Sequence, residues 1–259
     1  MTPTLIVGII AATILAGAFG YLGFRKDYNA TLRRRHIAKY RDRLRKLDNI
    51  TLGLPPNYFP KTLKALVYAS IADSFEHMAE LSGDKNYSEQ VKRVKLQLKQ
   101  LQQQTDKHSD ATPDMDSSSL REYKHLLKDL HALILEFHKE RMLSQKEAEL
   151  HLKAVNNVLI GVTLDFYCEA AKRAESSANK TLALHYYSMA MGQLEKATSE
   201  KLLNERSPPI SQKITDLTRE LENEEVNFGK EDGLQPNSSV VAEWDALNKE
   251  EDEWRKNYY

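Results

Sequence analysis

The sequence predicts an all-α protein whose N-terminal helix is a membrane span, and three observations carry that expectation. Residues Leu5 to Phe24 form a run of 20 residues without a charge, followed at once by Arg25 and Lys26. A 20-residue helix is about 30 Å long, which matches the hydrocarbon core of a bilayer. Downstream, apolar residues recur at three- and four-residue spacing. No segment sustains the strict alternation of a half-buried strand, and glycine is scarce after residue 23.

Each element can be justified in order. Residues 1–24 read as a transmembrane anchor rather than a cleaved signal. No Lys or Arg precedes the run, its core is too long, and a basic block follows it, although Ala16-Gly17-Ala18 mimics a cleavage site. Gly8, Ala12, Ala16 and Gly20 fall four apart, and small residues on one face let two membrane helices approach closely. Residues 25–54 read as a basic juxtamembrane helix that continues the span and ends before Pro55-Pro56. Its region 25–46 holds ten Lys/Arg against two acids. Lys and Arg are retained on the cytoplasmic side, so the N-terminus is expected outside and the remaining chain in the cytoplasm. Arg33, Arg34, Arg35, Lys39, Arg41, Arg43, Arg45 and Lys46 are the candidates for contact with anionic lipid headgroups.

Residues 55–104 read as an antiparallel hairpin. One helix starts near Pro60 and stops at Gly83, and the next is capped by Ser88. Residues 105–119 are rich in Asp, Ser and Thr and read as a flexible polar linker. Residues 120–225 read as a helical domain. Leu120, Tyr123, Leu127, Leu130, Ile134 and Phe137 share one helical face; Ser144 with Glu147 forms a capping box that starts the next helix. Gly161 interrupts that helix and marks a kink or a close approach. A further helix is expected over Leu182–Leu203, and Pro208-Pro209 opens another. Residues 226–259 form an acidic tail with a short helix over Val240–Tyr258.

Charge is unevenly spread although the net charge is zero. Residues 25–46 sum to +8 and residues 216–259 to −8. Cys168 is alone, so no internal disulfide forms, and it reads as a small buried hydrophobe. With the predicted orientation the Asn-x-Ser/Thr triplets at Asn29, Asn49, Asn179 and Asn237 are chance matches.

The signals for chemistry are weak. Glu122 and His125 lie one turn apart, but a di-iron bundle needs a second Glu-x-x-His. His131, His138 and His151 have no accompanying acid or Cys cluster and read as surface or boundary residues. No phosphate loop, dinucleotide fingerprint or zinc-ligand spacing occurs, and no cofactor is expected.

Tyr167, Ala170, Ala171, Ala174, Ala183, Tyr187 and Ala190 follow a small-and-aromatic pattern over Leu164 to Ala197. This stretch resembles one unit of the tetratricopeptide (TPR) repeat. It departs from the family at Ala171, where the first helix usually has Gly, and at Glu195 in place of the terminal Pro. The resemblance implies a helical hairpin and a protein-binding role. Tyr167, Tyr186, Tyr187, Trp244, Leu247 and Trp254 are the candidates for partner contact. The expected role is non-enzymatic: a membrane-anchored adaptor that holds an unknown protein partner at the bilayer, most simply a bacterial inner membrane. A structural subunit assembled through the Gly8/Ala12/Ala16/Gly20 face, as a homo-oligomer or in a complex, is the first rival. An enzyme with a scattered site is the second. Nucleic acid is disfavoured because the body of the chain is not basic.

Overall fold

The computed structural model describes the backbone of residues 3–103, 115–197 and 199–227. Side chains are described from residue 25 onward within those ranges, except at 26, 27, 29, 201 and 224–227. The described residues form helices and no strand. They are α1 (Pro3–Gly53), a single 3-10 turn (Pro56–Tyr58), α2 (Lys61–Ser82), α3 (Lys85–Gln103), α4 (Ser117–Lys139), α5 (Gln145–Ser176), α6 (Lys180–Leu194) and α7 (Glu200–Asn227). The helical part of the expected fold class therefore holds.

Its membrane part is corrected. Among the described residues, no helix is long and apolar enough to cross a membrane. The uncharged run is not an element of its own, because its backbone passes unbroken through the basic block to Gly53. The helix carrying it is thus charged over its C-terminal half. The side chains of Leu5 to Phe24, including Gly8, Ala12, Ala16 and Gly20, lie outside the described residues.

The chain divides into two compact units, with the division falling inside α4 and inside α5. Unit 1 comprises residues 1–109 and 125–151; unit 2 comprises 110–124 and 152–259.

In unit 1, α2 packs against both α1 and α3. α2 and α3 make the expected antiparallel hairpin. Lys61 at the start of α2 donates to the carbonyl of Gln102 at the end of α3 (3.0 Å), Lys95 pairs with Glu76, and Phe75 stacks on Tyr87 at 6.2 Å. Leu44, Leu47, Ile50, Leu63, Val67, Ile71, Met78, Val91 and Val94 are buried. Ser70 and Ser74 are also buried, and each donates its hydroxyl to the carbonyl four residues back, so neither leaves a polar atom stranded. Gly83 ends α2 with φ +71°, as its position predicts. α3 starts at Lys85, three residues before the expected cap at Ser88. Asp84 supplies the cap instead, accepting from the backbone N–H of Asn86 at 2.9 Å.

In unit 2, α6 packs on α7. α5 joins them through side chains: Arg206 on α7 pairs with buried Asp165 (3.1 Å), and Lys213 pairs with Glu175 (2.9 Å). The expected linker is shorter than predicted at its C-terminal end. Met115 is fully buried and its carbonyl accepts from Arg173, while Asp116 caps α4 by accepting from the Ser119 N–H at 2.8 Å. Those contacts hold the Asp116 carboxyl at about 2, through its bonds to Ser119 and Ser118. Residues 104–114 lie outside the described residues.

The Pro208-Pro209 pair does not open a helix; α7 starts at Glu200 and carries both prolines within it. Both are exposed, as are Asn204 and Glu205 four residues before them, so water reaches the carbonyls that lose a helical partner. The preceding break falls at residues 195–199, where Ser199 caps α7 through the Leu202 N–H.

Two helix ends use a left-handed residue that is not glycine. After α4, Arg141 has φ 61°, with Met142 N–H bonded to the Phe137 carbonyl (2.9 Å) and Arg141 N–H to that of His138 (3.0 Å). After α5, Ala178 has φ 56°, with Asn179 N–H bonded to Ala174 and its own N–H to Glu175, both at 2.9 Å. Each is a Schellman turn, in which a side chain at the left-handed position costs about 1–2 kcal/mol. The Ser144/Glu147 capping box forms as predicted.

Gly161 neither kinks α5 nor admits a close neighbour: the helix is continuous, and a Cβ there would meet nothing within 4 Å. Gly161→Ala is therefore expected to stabilise the protein by about 0.5–1 kcal/mol. Ala178→Gly is expected to stabilise it by a similar amount, by relieving the left-handed alanine. Urea denaturation midpoints measure both. A fall in midpoint for Gly161→Ala would show a hidden contact at that position.

Candidate interaction surface on helix α1

α1 sorts its cations by helical face. Arg43, Leu44, Leu47 and Ile50 are buried and lie on one side of its C-terminal half. At 100° per residue, Arg34, Arg41 and Arg45 form a row turned away from that side, with Arg35 and Lys46 flanking it. All five are exposed. The row ends at Leu52, which is 85% exposed, and Tyr28 is exposed in the row of Arg35 and Lys46.

Arg43 corrects the sequence-based set of surface cations, because it is buried within unit 1 rather than presented to a ligand. Its guanidinium sits over the rings of Phe137 (5.2 Å) and Tyr40 (5.7 Å). One terminal nitrogen donates to Glu136 Oε1 at 3.0 Å and Glu140 Oε2 at 2.6 Å; the other lies 3.7 Å from Met142 Sδ. Lys39 joins the cluster through Glu140, with Glu136 at 3.7 Å. Tyr40 in turn stacks on His77 at 5.0 Å. Burial pushes the Glu140 carboxyl up, but the hydrogen bonds from Lys39 and Arg43 outweigh it and hold the group below its usual value.

The remaining cations divide by partner. Lys39 is engaged by the glutamates, and Arg45 pairs with Asp42 one turn back at 3.3 Å. Arg33, Arg34, Arg35, Arg41 and Lys46 have no ion-pair partner among the described residues. Arg33, Arg34 and Arg35 are consecutive and so point to three different sides of the helix; of these five, Arg34 and Arg41 lie in the outward row.

Charge also separates by unit. Unit 1 holds 22 basic and 14 acidic residues, and unit 2 holds 15 and 23, so the neutral chain divides into +8 and −8. Among the side chains described, unit 2 carries ten basic and eleven acidic residues, so its acidic excess lies outside the described residues.

Comparison of the chain with known families, curated proteins and solved structures finds no match.

The predicted partner-contact tyrosines lie in the interior. Tyr167 and Tyr187 are 2% and 3% exposed and Tyr186 is also buried; Phe166 meets Tyr167 edge-on at 5.6 Å. Burial, and then the neighbouring Glu175 carboxylate, push the Tyr187 phenol above its usual value. Small residues at 170, 171, 174, 183 and 190 are buried with them. Trp244, Leu247 and Trp254 lie outside the described residues.

Glu122 and His125 do not make a site. Both are exposed, and His125 stands 3.3 Å from Asp129. His131 is buried rather than at the surface, and burial holds its pKa down, which favours the neutral ring. His138 is exposed beside the Leu143 carbonyl, and His151 is half-buried. Among the described residues, no three His, Cys, Asp or Glu side chains gather as metal ligands. Burial pushes the Cys168 thiol up to about 11, which keeps it protonated and a poor nucleophile at neutral pH.

Arg43→Ala removes the buried partner of Glu136 and Glu140 and leaves them exposed Lys39. It is expected to destabilise unit 1 by about 2–3 kcal/mol, below the range for a fully buried pair because both glutamates touch water. The depressed Glu140 carboxyl gives the pH sign. Its contribution is complete above the usual value of 4.5 and is lost as pH falls through the lower folded-state value. Urea denaturation from neutral to acid pH should show this fall, and Glu140→Gln should flatten it.

Proposed function

We propose that the protein is a non-enzymatic adaptor that rests on an anionic lipid surface through α1 and carries a protein partner on its helical hairpins. The observation that supports this reading is the exposed row on α1 opposite the face held by Arg43, in which Arg34 and Arg41 have no ion-pair partner among the described residues. Arg34 to Lys46 spans about 18 Å of helix. A flat anionic surface can meet such a row along its whole length. Each basic residue near anionic headgroups contributes about 1 kcal/mol.

The lipid contact in this reading is peripheral, and it faces the cytoplasm, where anionic lipid is concentrated. Exposed Leu52, at the end of the row, supplies an apolar side chain for the headgroup boundary. Unit 2 supplies the hairpins for the protein partner, in keeping with the TPR-like pattern over Leu164 to Ala197. Because Tyr167, Tyr186 and Tyr187 are interior, the partner would meet the outer sides of those helices. Holding a partner at a surface raises its effective concentration without any chemical step.

Vesicle sedimentation tests the lipid contact. The full chain is expected to prefer vesicles of phosphatidylcholine with phosphatidylserine over phosphatidylcholine alone. Replacing Arg34, Arg41 and Lys46 by Gln together should reduce that preference on the order of a hundredfold and leave binding to neutral vesicles unchanged. An undiminished preference in the triple variant would overturn the assignment.

A further inference from the structure

We infer that unit 1 bridges two anionic lipid surfaces, one met by the α1 row and the other by the outer face of α3. This adds a second contact to the proposed lipid face of α1 and rests on it. The side chains of α3 sort by face as those of α1 do. Val91 and Val94 are buried, and Leu98 and Leu101 are half-buried on the same side. At 100° per residue, Lys85, Glu89, Lys92, Leu96 and Lys99 form the opposite row. All five are exposed. Glu89 is the one acid of α3, against five Lys/Arg. From Lys85 to Lys99 the row runs about 21 Å along the helix. It holds an exposed leucine, as the α1 row does: Leu96 is 58% exposed and Leu52 85%.

The two rows do not share a plane. α2 packs on both α1 and α3. Its His77 meets Tyr40 of α1, while its Phe75 and Glu76 meet Tyr87 and Lys95 of α3. Around α2, Phe75 lies about 160° from His77 and Glu76 about 100°. α1 and α3 therefore flank α2 on different sides, and their outward rows face apart. A flat membrane that meets the α1 row along its length leaves the α3 row free for a second one. Charge and the exposed leucine together select that occupant. Lysines carry their charge to anionic headgroups on long apolar stems, and a leucine between them enters the apolar boundary. A nucleic-acid backbone would use the lysines and leave the leucine in water. With three lysines offset by Glu89, the α3 row is the weaker of the two. α1 thus seats the chain first, and α3 captures the second surface where its effective concentration is high.

Vesicle clustering, followed by light scattering, tests the bridge. The full chain is expected to cluster vesicles of phosphatidylcholine with phosphatidylserine and to leave phosphatidylcholine vesicles dispersed. Lys92→Gln, Leu96→Ser and Lys99→Gln together should lower clustering on the order of tenfold, since two basic residues leave the second surface. Sedimentation should show that this variant still binds the vesicles, and circular dichroism that its helix content is unchanged. Replacing Arg34, Arg41 and Lys46 by Gln should lower binding and clustering alike. Vesicles that bind the full chain and stay dispersed overturn the bridge and leave the lipid contact of α1 standing. Clustering that the α3 variant retains also overturns it, and assigns the bridge to association between copies. So does retention of a nucleic-acid duplex by the full chain but not by the α3 variant, with vesicles dispersed, which assigns the row to phosphodiesters. A chain that binds no anionic vesicle fails the lipid reading itself, and the bridge with it.

Discussion

The rotation of α1 about its axis depends on one buried guanidinium. Arg43 is sandwiched by Tyr40 and Phe137 and held by Glu136 and Glu140. Removing a charge from water is costly, and here two carboxylates and two aromatic faces offset the cost together. Once Arg43 faces inward, the helical period sets every other side chain of α1. Leu44, Leu47 and Ile50 turn into the core, and Arg34, Arg41 and Arg45 turn out. The cluster therefore acts beyond its own contacts, because it decides which cations are left to meet something else.

That sorting changes the meaning of the basic block. Read as a string, residues 25–46 are a uniform positive segment. Lys26 aside, whose side chain lies outside the described residues, they are three populations in the fold: one cation consumed by the core, two held by neighbouring acids, and six without an ion-pair partner among the described residues. The functional reading rests on the last group alone. A surface of this kind binds by electrostatics, and its behaviour follows ionic strength.

How far the fold was legible depended on whether each signal was local. The capping box at Ser144 and Glu147, the stop at Gly83 and the break before Pro55-Pro56 are short-range chemistry, and each stands where the residues place it. The turns at Arg141 and Ala178 carry no such mark, because a left-handed residue without glycine is imposed by the packing on either side of it. Pro208-Pro209 misleads for the complementary reason: its freed carbonyls face water, so a helix tolerates what would end it in a core. Gly161 reads as a kink only if something presses on it, and nothing does. The tyrosines of the TPR-like stretch read equally well as core or as surface, since tight hairpins and binding faces both favour small and aromatic residues.

The sequence by itself determined the helical class, the hairpin of α2 and α3, most helix starts, and the concentration of charge. These follow from periodicity, capping and composition, which act over a few residues. Tertiary structure alone decided that Arg43 and Tyr187 are interior and which arginines remain exposed. Those outcomes depend on contacts between residues about a hundred positions apart, such as Arg43 with Glu140. No local pattern in the chain encodes which of several equivalent cations will meet such a partner.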